Sequence, residues 1–99
     1  MPAYLIAEVE INDAAGYEEY RKRVPAIIAA HGGRYLVRGG AIDLLEGSWA
    51  PARLAVIEFP DMAALKAFHD SPAYRPLLEL RQRTARSSLV AVEGYAPPA

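Results

Sequence analysis

The chain of 99 residues contains no cysteine. Disulfide bonds, thiol nucleophiles and thiolate-ligated metals are therefore excluded. An excess of one charge is also lacking, because 11 basic and 12 acidic residues leave a net charge of −1 at pH 7. Nucleic-acid-binding proteins concentrate positive charge on one face, so we expect no nucleic-acid partner.

Long hydrophobic runs are absent as well. No apolar stretch approaches the ~20 residues that span a bilayer, and MPAYLIAEVE has no basic region before its apolar run, unlike a signal peptide. We expect a cytoplasmic protein with no membrane partner. The chain is nevertheless 53% hydrophobic, a high fraction for so small a protein. Part of its apolar surface should therefore be covered by a second chain.

Hydrophobic periodicity predicts one domain over residues 1–95 with the order β-α-β-β-α-β, followed by a short tail at 96–99. The central hairpin consists of two predicted strands, Arg34–Arg38 and Arg53–Phe59. Asn12 and Asp13 offer a cap for the first helical region and Asp61 offers one for the second, and Ser71 and Pro72 begin a new helical piece. Right-handed crossovers then give an α+β, ferredoxin-like fold, with a four-stranded antiparallel sheet and both helices on one face.

Strand parity assigns the sheet residues to two faces. The face under the helices is predicted to hold Leu5, Ala7, Val9, Tyr35, Val37, Ala55, Ile57, Phe59, Val90 and Val92. The opposite face, called the outer face below, is predicted to hold Tyr4, Ile6, Leu36, Leu54, Val56 and Leu89, with the charged Glu8, Arg38 and Glu58. A surface with this many apolar side chains is unfavourable in water. The simplest way to bury it is to pair it with the same face of a second copy of the chain. We therefore expect a homodimer through the sheet face.

Three segments, GGRYLVRGG, EGSWAPARLAVIEFP and DSPAYRPLLELR, resemble the domain of unknown function 1330 family. The resemblance extends from Tyr4 to Gly94, with one departure at His69, where tyrosine is more usual. It implies the dimeric α/β-barrel superfamily, whose subunits pair their sheets face to face. It also implies the candidate chemistries of that superfamily: cofactor-free oxygenation, isomerisation or a lyase step on a small acidic or aromatic molecule.

The predicted outer-face charges, Glu8, Arg38 and Glu58, have two interpretations. As a functional site, Arg38 would bind an anionic group and Glu58 would act as a base. As a structural feature, the three would form a salt-bridge cluster that fixes the register of the dimer. The residues themselves leave both interpretations open.

Four further residues complete the candidate site. His69 is a candidate for proton transfer, because an unperturbed imidazole titrates near pH ~6.5. Tyr35, Trp49 and Tyr74 lie near turns or element ends. We expect Tyr35 and Tyr74 to line a ligand pocket between the helices and the sheet with Glu58 and His69, and Trp49 to close the mouth of that pocket. Trp49 has the alternative role of covering the partner subunit.

No cofactor and no metal are predicted. His31 and His69 are too few ligands for a metal site in a chain without cysteine, and no glycine-rich nucleotide motif occurs. Two function hypotheses follow: a dimer that binds or transforms a small molecule, and a non-catalytic dimerisation or sensing module. Haem binding is a third, which would need one of the histidines to face a porphyrin-sized slot. A void beside Glu58 and His69 would favour the first hypothesis.

Overall fold

The computed structural model describes residues 1–96 of the chain. Its elements are β1 (Ala3–Ile11), α1 (Ala14–Ala30), β2 (Arg34–Arg38), β3 (Leu54–Phe59), α2 (Met62–Asp70), α3 (Arg75–Thr84) and β4 (Ala85–Glu93). The predicted order is confirmed, with the second helical region divided into α2 and α3. Of the predicted tail, 96–99, only Ala96 is described, and the rest lies outside the described residues. None of the described helices is long and apolar enough to cross a membrane.

The strands form one antiparallel sheet in the order β2-β3-β1-β4. Every second residue of β1 from Ala3 to Val9 is buried, while the residues between them are only half-buried. The helices pack on the buried side, and this arrangement confirms the ferredoxin-like α+β fold. The main core cluster contains sheet residues Leu5, Ile57 and Phe59 with helix residues Val24, Ile28, Leu65, Phe68 and Leu77.

The helices begin where the sequence predicts caps. The Asp13 carboxylate accepts a hydrogen bond from the Gly16 backbone N–H at 3.1 Å, and the Asp61 carboxylate accepts one from Ala64 at 2.8 Å. Each bond satisfies a backbone donor that the first helical turn leaves free. Gly32, at φ +79°, follows α1 in the left-handed conformation that glycine adopts without strain.

The break between α2 and α3 places an aromatic residue in the core. The Ser71 hydroxyl donates to the Phe68 carbonyl at 2.8 Å and accepts from the Tyr74 backbone N–H at 3.2 Å, so one side chain bridges the break. Tyr74 is fully buried, and its ring centroid lies 4.5 Å from that of Phe68. The phenol of Tyr74 is thereby directed toward the space between the helices and the sheet.

A β-bulge in β2 changes which side chains face the helices. Tyr35 and Val37 pair with adjacent residues of β3, so Leu36 between them has no partner. One extra residue on a strand reverses the parity of every residue after it. Val37 therefore lies on the outer face and Arg38 faces the helices, so the placements predicted for these two residues were wrong.

The predicted parity of β4 was also wrong. Leu89 pairs with Ala7 and packs on the core, whereas Val90 and Val92 lie on the outer face, 58% and 46% exposed. Leu89 and Ala91 lie on one face of β4 and Val90 and Val92 on the other, so hydrophobicity could not decide between the faces. The register with β1 decides it, because each β4 residue faces the same side as its partner.

Candidate functional site

A cavity lies between the helix-facing side of the sheet and the helices; we call it the sheet–helix cavity. Its empty volume is about 560 Å³ including the open space at its mouth, and about 50 Å³ of that can hold the centres of water-sized molecules. One water needs about 10–15 Å³ on this measure. The cavity therefore has room for a few waters or a small, narrow ligand.

The cavity exists because the centre of its floor is made of small side chains. Ala7 of β1 and Ala55 of β3 are paired neighbours on the helix-facing side, and both line the cavity. Leu5 and Ile57 fill the floor farther along the same strands. Two adjacent alanines leave open the volume that larger side chains would occupy.

Tyrosine hydroxyls supply neutral polar groups to the cavity wall. The hydroxyls of Tyr20 and Tyr74 are 2.8 Å apart and hydrogen-bonded, and Tyr17 packs beside Tyr20 with ring centroids 5.3 Å apart. Burial raises the pKa of Tyr17 and Tyr35, and burial together with the neighbouring Tyr74 phenol raises that of Tyr20 well above its ordinary value. These three phenols stay protonated at neutral pH, where they can donate hydrogen bonds but cannot act as bases.

Arg81 of α3 is a buried cation without an acidic partner. It is only 6% exposed, and its Nη1 donates to the Ser87 hydroxyl. Its Nε is buried and has no hydrogen-bond partner. No carboxylate within residues 1–96 forms an ion pair with it. Since an unpaired buried charge costs several kcal/mol, this arginine is suited to a ligand that brings a negative charge.

Arg38 and Arg53 lie nearer the mouth of the cavity. Arg38 Nη2 donates to the Arg21 carbonyl of α1 at 2.8 Å, and its guanidinium lies 4.5 Å from the centroid of the Tyr35 ring. The Arg53 guanidinium lies against Gly39, where an added Cβ would come within 2.9 Å of Arg53 Nη2. Neither arginine has an ion-pair partner in the described part of the chain.

The lining of the cavity is therefore positively charged. It includes Arg21, Arg38, Arg53 and Arg81, and none of its described residues is Asp, Glu, Lys or His. Arg21 alone of these arginines is paired, through Glu18 at 3.5 Å. The arrangement can bind and stabilise negative charge, but its lining supplies no conventional base.

The cavity brings together three of the predicted site residues, Tyr35, Arg38 and Tyr74. Glu58 lies on the outer face, where it accepts hydrogen bonds from Arg34 Nε at 2.8 Å and from the Tyr4 hydroxyl at 3.2 Å. The predicted grouping of Glu58 with Arg38 was wrong, because the bulge moves Arg38 to the other face and Arg34 pairs with Glu58 instead.

Trp49 and Glu8 meet on the outer face. Trp49 Nε1 donates to Glu8 Oε2 at 2.8 Å, while the indole remains 62% exposed. Neither residue lines the sheet–helix cavity. In this position Trp49 belongs to the surface proposed from sequence as the partner interface.

The histidines also lie outside this cavity. His69 lines a separate surface pocket beside β4, with Nδ1 3.7 Å from Asp70 Oδ1. Its ring centroid is 5.8 Å from that of Tyr74, across the wall of the cavity. His31 ends α1 and its Nδ1 is hydrogen-bonded to the Ile27 carbonyl at 2.9 Å. Arg38, Glu58 and His69 do not converge on one site.

Sequence reasoning missed Tyr17, Tyr20, Arg53 and Arg81 as site residues. Tyr17 and Tyr20 carried a signal in the sequence, since both lie on the apolar stripe of α1 and therefore face the sheet. Metal ligands are not grouped: within the described chain, no cluster of three or more His, Asp or Glu side chains could hold an ion.

Solved structures with the same architecture include one enzyme and several proteins of unknown function. A protein of unknown function from Rhodopseudomonas palustris, RPA0582, is 21% identical with a TM-score of 0.78, over 97% of this chain and 84% of that one. SnoaB, a cofactor-independent oxygenase from Streptomyces nogalater, is 13% identical with a TM-score of 0.64, over 97% and 95%. A dimeric ferredoxin-like protein of unknown function from Jannaschia sp. CCS1 is 17% identical with a TM-score of 0.66, over 95% and 100%.

The TM-scores show that these proteins share the fold of this chain, and at such low sequence identities the similarity extends to the fold alone. No curated protein matches the chain in sequence. Residues 2–95 match the family described as Domain of unknown function (DUF1330). The resemblance carried by the three sequence segments is thus confirmed, and the chain belongs to that family.

Proposed function

We propose that this protein binds a small organic anion in the sheet–helix cavity. The observation that carries the proposal is Arg81, a buried guanidinium whose Nε has no hydrogen-bond partner. Proteins rarely bury a charge without a partner, because the desolvation penalty is several kcal/mol. A carboxylate bound side-on to Nε and Nη2 would satisfy the guanidinium with two parallel hydrogen bonds.

The cavity wall suggests the rest of the ligand. Tyr17, Tyr20, Tyr35 and Phe68 present ring surfaces, and the floor is aliphatic. Flat, unsaturated or aromatic groups pack well against such walls. The hydrogen-bonded hydroxyls of Tyr20 and Tyr74 can also rotate toward a ligand oxygen. A small aromatic or unsaturated carboxylate fits these groups best.

An enzymatic form of this proposal is oxygenation, isomerisation or a lyase reaction of the bound anion. SnoaB, among the similar structures, is a cofactor-independent oxygenase. Arginines directed at a substrate oxygen would stabilise negative charge that develops there during reaction. The base and proton-transfer roles of Glu58 and His69 stay predictions, as neither residue lines the cavity.

We also propose that the chain forms a homodimer through the outer face. Leu36, Val37, Val90 and Val92 expose apolar side chains on that face or at its edge. Two of the similar structures are described as dimeric ferredoxin-like proteins. The second candidate function is a non-catalytic dimerisation or sensing module, which would form the same dimer without binding a ligand. The observation that favours it is the apolar outer face.

Calorimetric titration with benzoate, a small aromatic carboxylate, tests the anion proposal. We expect wild-type protein to bind benzoate, and Arg81→Met to reduce the affinity at least ~10-fold, the equivalent of one lost charged hydrogen bond. Arg83→Met is the matched control, because Arg83 is exposed on the same helix. It should bind as the wild type does. Equal affinity for all three proteins, or no binding by any, would refute the proposal.

A further inference from the structure

The positive charge of the sheet–helix cavity is divided between two ends. Arg81 is buried beside Ser87 of β4. Arg38 lies on β2, at the opposite edge of the sheet, and is exposed. Arg53, half-buried, precedes β3 and lies against Gly39 on the same side as Arg38. One cationic group is therefore deep under α3, and the other two are near the mouth.

Tyr17 lies between these two ends. Arg53, Arg81 and Arg38 each act to lower the pKa of its phenol, although burial outweighs all three and raises it. Coulombic influence of this kind requires proximity. The three guanidinium groups therefore surround one common space above the Ala7–Ala55 floor.

The spacing of the strands sets the scale of the distance between the two ends, because Arg81 is hydrogen-bonded to Ser87 of β4 while Arg53 and Arg38 lie at β3 and β2. From β4 to β3 is two strand steps and from β4 to β2 is three, or about 10–14 Å at about 4.7–4.9 Å per step. A hydrogen bond at each end takes up about 3 Å. Acidic groups that reached both ends would thus be about 4–8 Å apart. Para-substituents on a benzene ring and the ends of a four-carbon diacid have such spacings.

We infer that the ligand is a small dianion, with one acidic group bound by Arg81 in the interior and the second bound by Arg38 and Arg53 at the mouth. The inference rests on the anion binding proposed above and specifies its substrate class. A monoanion would leave one end of the cavity with uncompensated positive charge. A dianion compensates both ends, and its two charges fix its orientation.

Matched pairs of probes test this inference, because each pair differs by one carboxylate replaced by a methyl group. The pairs are fumarate with crotonate and terephthalate with 4-methylbenzoate. We expect at least one dianion to bind at least ~10-fold more tightly than its monoanion at low salt. The advantage should shrink as salt is raised, since Arg38 at the mouth is exposed and screened.

Three variants assign the two ends. Arg81→Met should weaken dianion and monoanion alike, whereas Arg38→Gln should reduce the dianion-to-monoanion affinity ratio, and Arg38→Gln combined with Arg53→Gln should reduce it to about one. Arg23→Gln is the charge-matched control, because Arg23 is exposed on α1 and does not line the cavity. It should leave the ratio unchanged. Thermal denaturation of each variant checks that it is folded before the ratio is compared.

The outcomes separate this inference from the anion proposal. If monoanions bind through Arg81 but neither dianion binds more tightly, the ligand is a monoanion and the inference is overturned while the proposal stands. If Arg38→Gln lowers both affinities equally, Arg38 does not form a second subsite and the inference is likewise overturned. If none of the four acids binds, both the dianion inference and the anion-binding proposal are refuted.

Discussion

Replacing Arg81 with methionine distinguishes a ligand-binding arginine from a structural one. The substitution removes the hydrogen bond from Nη1 to Ser87, which contributes about 1.5–3 kcal/mol for a charged donor. It also removes the desolvation penalty of the buried guanidinium, which is several kcal/mol. Methionine retains a long, flexible side chain that can fill the vacated space. We therefore expect the ligand-free variant to be more stable than the wild type by about 1–3 kcal/mol.

The expected gain is large enough to measure by thermal unfolding. For a domain of about 100 residues, 1 kcal/mol moves Tm by about 4–8 °C, so Tm should rise by about 4–24 °C. Urea unfolding should give the same sign of change with an unaltered m-value. All measurements need one protein concentration, since dimerisation would make Tm depend on concentration. Arg83→Met, exposed on the same helix, should change stability by no more than ~0.5 kcal/mol.

Adding benzoate should narrow the difference in stability between the two proteins. Ligand at 100 times the wild-type Kd stabilises the wild type by about 2.7 kcal/mol, whereas a variant that binds ~10-fold more weakly gains only about 1.4 kcal/mol. In ligand-free protein, an Arg81→Met variant that is less stable than the wild type would refute the reasoning. Destabilisation of Arg81→Met by ~2 kcal/mol or more would show that the fold itself satisfies Arg81, and the physical reason to expect an anion would be lost.

Three further predictions concern the dimer and the phenols. Val56→Glu places a charge in the centre of the outer face and should give monomeric or insoluble protein by light scattering. The control Ala63→Glu changes an exposed residue and should stay dimeric. A wild-type protein that is monomeric at micromolar concentration would contradict the dimer. Trp49 emission should be blue-shifted in the native dimer and red-shifted on dissociation; a water-like maximum in the dimer would place the indole outside the interface. The pKa of the Tyr20 phenol is raised in the folded protein, so above pH ~10 the unfolded chain loses this proton while the folded chain keeps it. The contribution of Tyr20 to stability should therefore be constant below pH ~10 and the free energy of unfolding should fall as pH rises further. Tyr20→Phe should flatten that alkaline decline in pH-dependent unfolding, and an unchanged slope would exclude Tyr20 as its source.

Much of the fold could be predicted from local patterns in the sequence. The alternation of β1 and the helical stripe of α1 each have a distinct period, so their types were readable without tertiary information. Asp13 and Asp61 marked the starts of α1 and α2, because a carboxylate there accepts a hydrogen bond from the first turn. These signals are local, and each depends on only a few neighbouring residues.

Which side chains face the helices depended on pairing with other strands, and so could not be predicted locally. The unpaired Leu36 reverses the parity of Arg38, and nothing in RYLVR distinguishes a bulged strand from a regular one. Leu89 and Val90 are equally apolar, so their faces are determined only by the register of β4 on β1. The bulge separates Arg38 from Glu58, whereas the error in β4 changed only which apolar residues were assigned to each face.

Arg81 nevertheless carried a signal in the sequence. It follows Leu77 and Leu78 by four and three residues, and precedes Thr84 by three. It therefore lies on an apolar helical stripe, and none of these helical neighbours is a carboxylate that could pair with it. An exposed arginine would not share a face with these residues, and a structural one would be expected to have an acid partner. A cation at a core position without a local counter-charge must find that charge on another element or on a ligand. In residues 1–96 no other element provides one, and this is the physical reason for proposing that a bound anion supplies it.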